Sequence, residues 1–174
     1  MSSRVKSGDP DNLEAQGARR YWAHLFGTAD FRRDPALEGK NAVLNYGYAV
    51  LRAMTARAIC GAGLHPSIGL HHHNRYSQFV LADDLMEPFR PVVDRAALRV
   101  VGVLGEEPEV TKEAKLILFE HLGARYVLHA QERTLFDVLA RVTTSLMEVF
   151  AGEAKQLDLP DFREFFARGA SSEE

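Results

Sequence analysis

Cysteine is almost absent from this 174-residue chain: Cys60 stands alone, so no disulfide can form within it and the cysteine-based zinc patterns are missing. A reducing compartment is consistent with that. No apolar run reaches the ~20 residues of a membrane span, because Arg52 and Arg57 interrupt the most hydrophobic segment. The opening Met-Ser-Ser-Arg-Val-Lys has no apolar core of the kind a signal peptide carries. These lacks predict a protein of the cytoplasm with no membrane partner. The sequence also contains no His-Asp dipeptide, no His-Glu-x-x-His helix and no phosphate-cradling glycine loop, which argues against several familiar phosphohydrolase classes. Gly61, Gly63 and Gly69 are not in dinucleotide-loop spacing, and they follow a helical pattern rather than a strand. There is no internal repeat and no heptad.

What is present is an ordinary globular balance, 46% hydrophobic and 26% charged, in a length that suits one domain. The net charge of −3 does not advertise nucleic-acid binding, but it is unevenly spread. Residues 1–57 carry 9 basic against 6 acidic side chains, and residues 101–174 carry 8 against 14, so a phosphate backbone would meet the first third.

Apolar periodicity predicts about seven helices. Residues 1–10 read as a flexible lead-in, and 169–174 as an acidic tail. Asp9-Pro10-Asp11 starts a helix that stops at Gly27, with Glu14, Ala18, Tyr21, Trp22 and Leu25 on one side. Glu14 is thus a carboxylate on a largely apolar stripe; it either closes a capping box with Asp11 or serves a site, and the two are compatible. Arg32 and Arg33 lie on a loop over 27–40. Asn41 is expected to cap a long central helix to about Gly61, on which Arg57 is expected to be ion-paired. A helix over 76–87 is followed, past Pro88 and Pro91, by a further stretch to Leu104 that reads as helix or semi-regular core. Thr111 caps a helix to Leu122, Arg125–Leu128 forms a short strand, and the helical repeat resumes over 132–151. A terminal helix from Pro160 to about Arg168 carries Phe162, Phe165 and Phe166 as a lid on the core, with a docking surface as the alternative. The expected fold is an all-α helical bundle, one domain over 11–168, with at most one short strand pair.

The chemistry-bearing stretch runs from His71 to Arg95. Three histidines and Asn74 precede an amphipathic helix whose polar face carries Asp83, Asp84 and Glu87. Like charges so close repel, and Arg90 or a bound cation would offset that. Pro88 and Pro91 have no N–H for the preceding turn, so the helix must end or kink beside the acidic cluster. Imidazole with carboxylate is a ligand set suited to a divalent ion, while a polar histidine loop and a solvated helix face fit the same residues.

Two segments carry a resemblance. Gly-Leu-His-Pro-Ser-Ile-Gly-Leu-His-His-His-Asn, followed by Leu-Ala-Asp-Asp-Leu-Met-Glu-Pro-Phe-Arg-Pro-Val-Val-Asp, resembles the catalytic helical domain of the CRISPR-associated adaptation integrase and endonuclease, the Cas-one family, in particular its type II members. Glu14-Ala15-Gln16-Gly17-Ala18-Arg19-Arg20-Tyr21-Trp22 matches that family's Glu-x-x-x-Ala-Arg-x-Tyr-Trp. The resemblance is specific between Asp11 and Arg95 and general beyond it. It implies that Glu14, His72 and Glu87 hold one divalent ion, Mg2+ or Mn2+, with Asp84 as an auxiliary carboxylate. His72 is taken over His71 and His73 because the family histidine sits two before the loop asparagine, here Asn74.

The implied reaction is attack by the 3′-hydroxyl of a captured DNA end on a phosphodiester at a CRISPR repeat boundary, with metal-dependent DNA endonuclease activity at the same site. A ligating His72 must be neutral, so activity should fall at acid pH. Arg19, Arg20, Asn45, Arg52 and Arg75 are the candidates for DNA contact. The implied partners are DNA, the small adaptation subunit of the Cas-two family and, in the full-length family, a second copy, in a prokaryotic cytoplasm. Nothing in the chain corresponds to the family's N-terminal β-domain, so an excised domain or a short form is expected. A non-catalytic helical module that binds DNA or a partner is the alternative; it predicts that removing Glu87 stabilises the fold by relieving repulsion.

Overall fold

The structure, a computed structural model, describes residues 13–69 and 78–167. Among them are seven α-helices and one strand pair: α1 (Leu13–Phe26), α2 (Lys40–Gly61), α3 (Val80–Met86), α4 (Arg90–Leu104), α5 (Lys112–Leu122), β1 (Arg125–Leu128), β2 (Gln131–Thr134), α6 (Leu135–Phe150) and α7 (Phe162–Ala167). A single 3-10 turn, Glu87–Phe89, joins α3 to α4. The expected helical domain with one short strand pair is what forms.

The longest helix, α2, is the hub, as its apolar composition implies. It packs against α3, α4, α5 and α6, and α4 packs in turn on α5. Val43, Leu44, Leu51 and Ile59 of α2 are completely buried, as are Val93, Ala96, Ala97 and Val100 of α4 and Leu135 and Val138 of α6. The approach of α2 to α4 depends on Gly47: a Cβ there would lie 2.5 Å from Cγ1 of Val93. Val93 is β-branched and completely buried, so any larger residue at 47 is an overpacking.

The start of α2 differs from expectation. Gly39, not Asn41, occupies the cap position, at φ 62°. A side chain at 39 would meet the Glu107 carboxylate. Asn41 is instead spent on the preceding loop, where its Oδ1 accepts from Arg33 Nη1 at 3.0 Å and from the Asp34 amide at 2.9 Å, and its Nδ2 donates to the Arg32 carbonyl at 3.0 Å. Arg57 also departs from expectation: it is exposed, with its guanidinium 5.2 Å from the centre of the Phe136 ring.

The strand pair is a hairpin with Leu128 opposite Gln131. The two linking residues, His129 and Ala130, both have positive φ, 50° and 59°, the geometry of a primed two-residue turn. Helix α6 therefore starts at Leu135 rather than at 132, behind a capping box in which Thr134 Oγ1 accepts from the Asp137 amide and Asp137 accepts from the Thr134 amide. At the far end α7 closes the core: Phe165 is 1% exposed and stacks on Tyr126 at 4.5 Å, whose hydroxyl burial pushes up to about 12. The aromatic face is a lid.

Candidate metal and nucleic-acid site

The acidic helix stands where two proline-marked breaks place it. Pro88 lies in the first turn of the 3-10 segment and Pro91 in the first turn of α4, positions where proline's fixed φ suits the start of a helical turn. The chain consequently passes from α3 to α4 through a 3-10 turn that begins at Glu87. Leu81, Ala82, Leu85 and Met86 face the core, which turns Asp83, Asp84 and Glu87 toward the surface. The Leu81 amide donates to the Pro66 carbonyl at 2.8 Å, which ties the turn after α2 to the start of α3.

The repulsion among these carboxylates is offset by arginines from two elements. Arg90 Nη1 lies 2.9 Å from Oε1 of Glu87, and Arg52 Nε of α2 lies 2.6 Å from Oδ1 of Asp83. All four side chains are a third to a half exposed, so each pair contributes well under 1 kcal/mol. Glu87 keeps 48% of its side chain accessible.

Behind Glu87 lies a polar cluster that the sequence reading passed over. Asp94 of α4 is 3% exposed. It accepts hydrogen bonds from the hydroxyls of Tyr21 of α1 and Tyr48 of α2. Burial raises the Asp94 carboxyl above the usual range, and the two tyrosines with nearby Arg90 and Arg33 only partly oppose this. Both hydroxyls are correspondingly pushed up, chiefly by burial and by the Asp94 charge. Two guanidiniums lie over the Tyr48 ring, Arg90 at 4.8 Å and Arg33 at 5.6 Å from its centre. Arg33 is held by Asn41 and, at 2.6 Å, by Oδ1 of Asn45, and burial lowers its pKa. Asp94 interrupts the apolar stripe Val92, Val93, Ala96 and Ala97, the cue that singled out Glu14 on α1; applied to α4 it would have found this residue.

The sequence-predicted site residues are placed unevenly. Glu14 lies in the first turn of α1, with its side chain outside the described residues. His71, His72, His73, Asn74 and Arg75 also lie outside them. Glu87 and Asp84 are one turn apart at the α3–α4 junction, Asp84 partly buried. Among the described residues no three histidine, cysteine or acidic side chains converge as a metal-binding group. Of the proposed DNA contacts, Arg19 and Arg20 are exposed on α1, Arg52 is paired with Asp83, and Asn45 is engaged with Arg33 and, through Nδ2, with the Pro35 carbonyl.

Comparison with known proteins settles the family. The family model for the CRISPR associated protein Cas1 matches residues 11–132. The chain belongs to the Cas1 family. It is 38% identical over 165 residues to a CRISPR-associated endonuclease Cas1 of Neisseria meningitidis, covering 92% of this chain and 53% of the relative. A Thermus thermophilus endonuclease Cas1 is 37% identical over 134 residues, 72% of this chain and 42% of the relative. The chain thus spans about half the length, or less, of these Cas1 relatives. Two solved structures share its fold: a casposase bound to an integration product, with a TM-score of 0.69 and 23% identity over 88% of this chain and 53% of that one, and a Cas1 protein from Thermotoga maritima, with a TM-score of 0.64 and 19% identity over 90% and 57%. No helix among the described residues is long and apolar enough to cross a membrane.

Proposed function

We propose that this chain supplies the catalytic half of a divalent-metal-dependent DNA endonuclease and integrase of CRISPR spacer acquisition. The observation that carries the reading is the 38% identity to an endonuclease Cas1 along 92% of the chain. In this reading Glu14, His72 and Glu87 hold one Mg2+ or Mn2+ ion, with Asp84 as the auxiliary carboxylate. The donor set fits such an ion: carboxylate oxygens and a neutral imidazole are suitable ligands, and Glu87 is accessible, with Arg90 competing for its oxygens among the described residues. When bound, the ion lowers the pKa of an attacking oxygen and neutralises charge developing on the phosphate.

The chain's own groups do the rest. Arg90 holds the Glu87 carboxylate at the mouth of the site, and Arg19 and Arg20 offer exposed positive charge to a DNA backbone. Arg75 belongs to the same histidine segment, and Arg52 and Asn45 would have to exchange their present partners for phosphate. The 3′-hydroxyl of a captured DNA end then attacks a repeat-boundary phosphodiester: one P–O bond forms as another breaks, and the departing 3′-oxygen takes up a proton. In this reading DNA, the small adaptation subunit and a second copy are the partners, in a prokaryotic cytoplasm.

A thermal melt with and without Mn2+ tests the reading, on the parent and on Glu14→Gln, His72→Ala and Glu87→Gln. At a hundredfold excess over its dissociation constant the ion should add about 2.7 kcal/mol to the parent and nothing to the three variants. A parent that ignores Mn2+, or variants that respond as it does, would instead favour the non-catalytic helical module.

A further inference from the structure

We infer that Asp94 is a positioning residue, which through the Tyr21 hydroxyl docks α1, the helix that carries Glu14, onto α4, the helix that leads away from Glu87. The inference rests on the metal reading above and adds the device that holds two of its ligand-bearing segments in register. The helix α1 needs such a device. Its packing is one-sided: Trp22 and Phe26 pack on the core together with Phe31, whereas Ala18 and Tyr21 are exposed, and none of its described side chains is fully buried. That aromatic contact belongs to the C-terminal half of α1, and helix propensity alone gives little reason for the turns nearer Glu14 to hold one position. Against that background the Tyr21–Asp94 hydrogen bond joins residues 73 apart in sequence. The carboxylate it reaches is nearly inaccessible and is itself fixed by Tyr48 on the central helix.

The geometry on either side is regular. Position 14 lies seven residues before Tyr21, two helical turns, and therefore on the same face of α1. Glu87 lies seven residues before Asp94. The hydrogen bond thus ties α1 to α4 two turns from position 14, in addition to the aromatic packing of Trp22 and Phe26. Asp94 touches neither ion nor substrate in this role; it acts through Tyr21.

The test is hydrogen exchange of the intact chain, combined with Mn2+ titration followed by thermal shift. Tyr21→Phe removes a single hydroxyl from a half-exposed ring and leaves the Tyr48 anchor, so the fold survives even where Asp94→Ala unfolds it. Expected is at least a tenfold loss of exchange protection in α1 with α2 and α6 unchanged, together with at least a tenfold weaker Mn2+ midpoint. Glu14→Gln, by contrast, should weaken Mn2+ without changing α1 exchange. Unaltered α1 protection in Tyr21→Phe overturns the inference. So does faster α1 exchange with Mn2+ affinity unchanged, which would make the bond merely structural. A parent that does not respond to Mn2+ overturns the metal reading itself and the positioning role with it, an outcome distinct from either of the other two.

Discussion

A left-handed backbone at a residue with a Cβ costs free energy wherever it occurs, and Ala130 carries it at φ 59° in the hairpin between β1 and β2. Its neighbour His129 shares the strain but gains a hydrogen bond, between Nε2 and Oδ1 of Asp158 at 2.7 Å. Ala130 has no such recompense. Replacing it with glycine should therefore raise stability by about 1 kcal/mol, read as a higher urea midpoint at an unchanged slope. Lower stability would show that the turn tolerates its alanine for a packing reason. The residue also shows why the second strand was not legible: neither His nor Ala signals a primed turn, whereas Asn-Gly would have. Asp94 is the opposite case. A carboxylate inside an apolar stripe is visible in the sequence, but the tyrosines that accept it into the core come from α1 and α2.

Caps decide where elements begin, and α6 shows how finely. Its apolar repeat alone would admit a start at 132; the Thr134–Asp137 box places it at Leu135 and releases Gln131–Thr134 to pair with β1. The Thr134 hydroxyl bond is the main reason the Asp137 carboxyl titrates below its usual value. A carboxylate whose folded pKa lies below its unfolded one contributes stability at neutral pH and loses it as the pH falls through the folded value. Thr134→Ala is thus expected to cost about 1 kcal/mol at pH 7, with the gap from the parent closing as Asp137 becomes protonated below pH ~4. Urea melts at both pH values measure this, and a gap independent of pH would place the cap's contribution elsewhere. The break between α3 and α4 needed no such help, since two prolines announce it in the sequence.

At the scale of the molecule, charge on the acidic helix is balanced from outside it. Arg52 reaches Asp83 from α2, 31 residues away, and Arg90 reaches Glu87 from the next helix. Relief of repulsion and loss of an exposed ion pair therefore nearly cancel. Without metal, Glu87→Gln should change stability by less than about 0.5 kcal/mol, measured by urea melt in the presence of a chelator. A gain of 1 kcal/mol or more would mean that the cluster is strained and that the arginines do not compensate it.

The sequence by itself determined the helices, the proline break and the residues with ligand chemistry, because periodicity, caps and side-chain type are local properties. The motifs around Glu14 and Glu87 were equally legible, and they identified the family that the 11–132 match establishes. Only the tertiary structure decided which arginines were already committed: Arg52 to Asp83, Arg33 to Asn41 and Asn45, Arg57 to the Phe136 ring. It alone brought Tyr21, Tyr48 and Asp94 together. The physical reason is that a polar side chain's partner is chosen by the packing of helices whose apolar faces meet across dozens of residues, and the local sequence records that a group must be satisfied, not by which group.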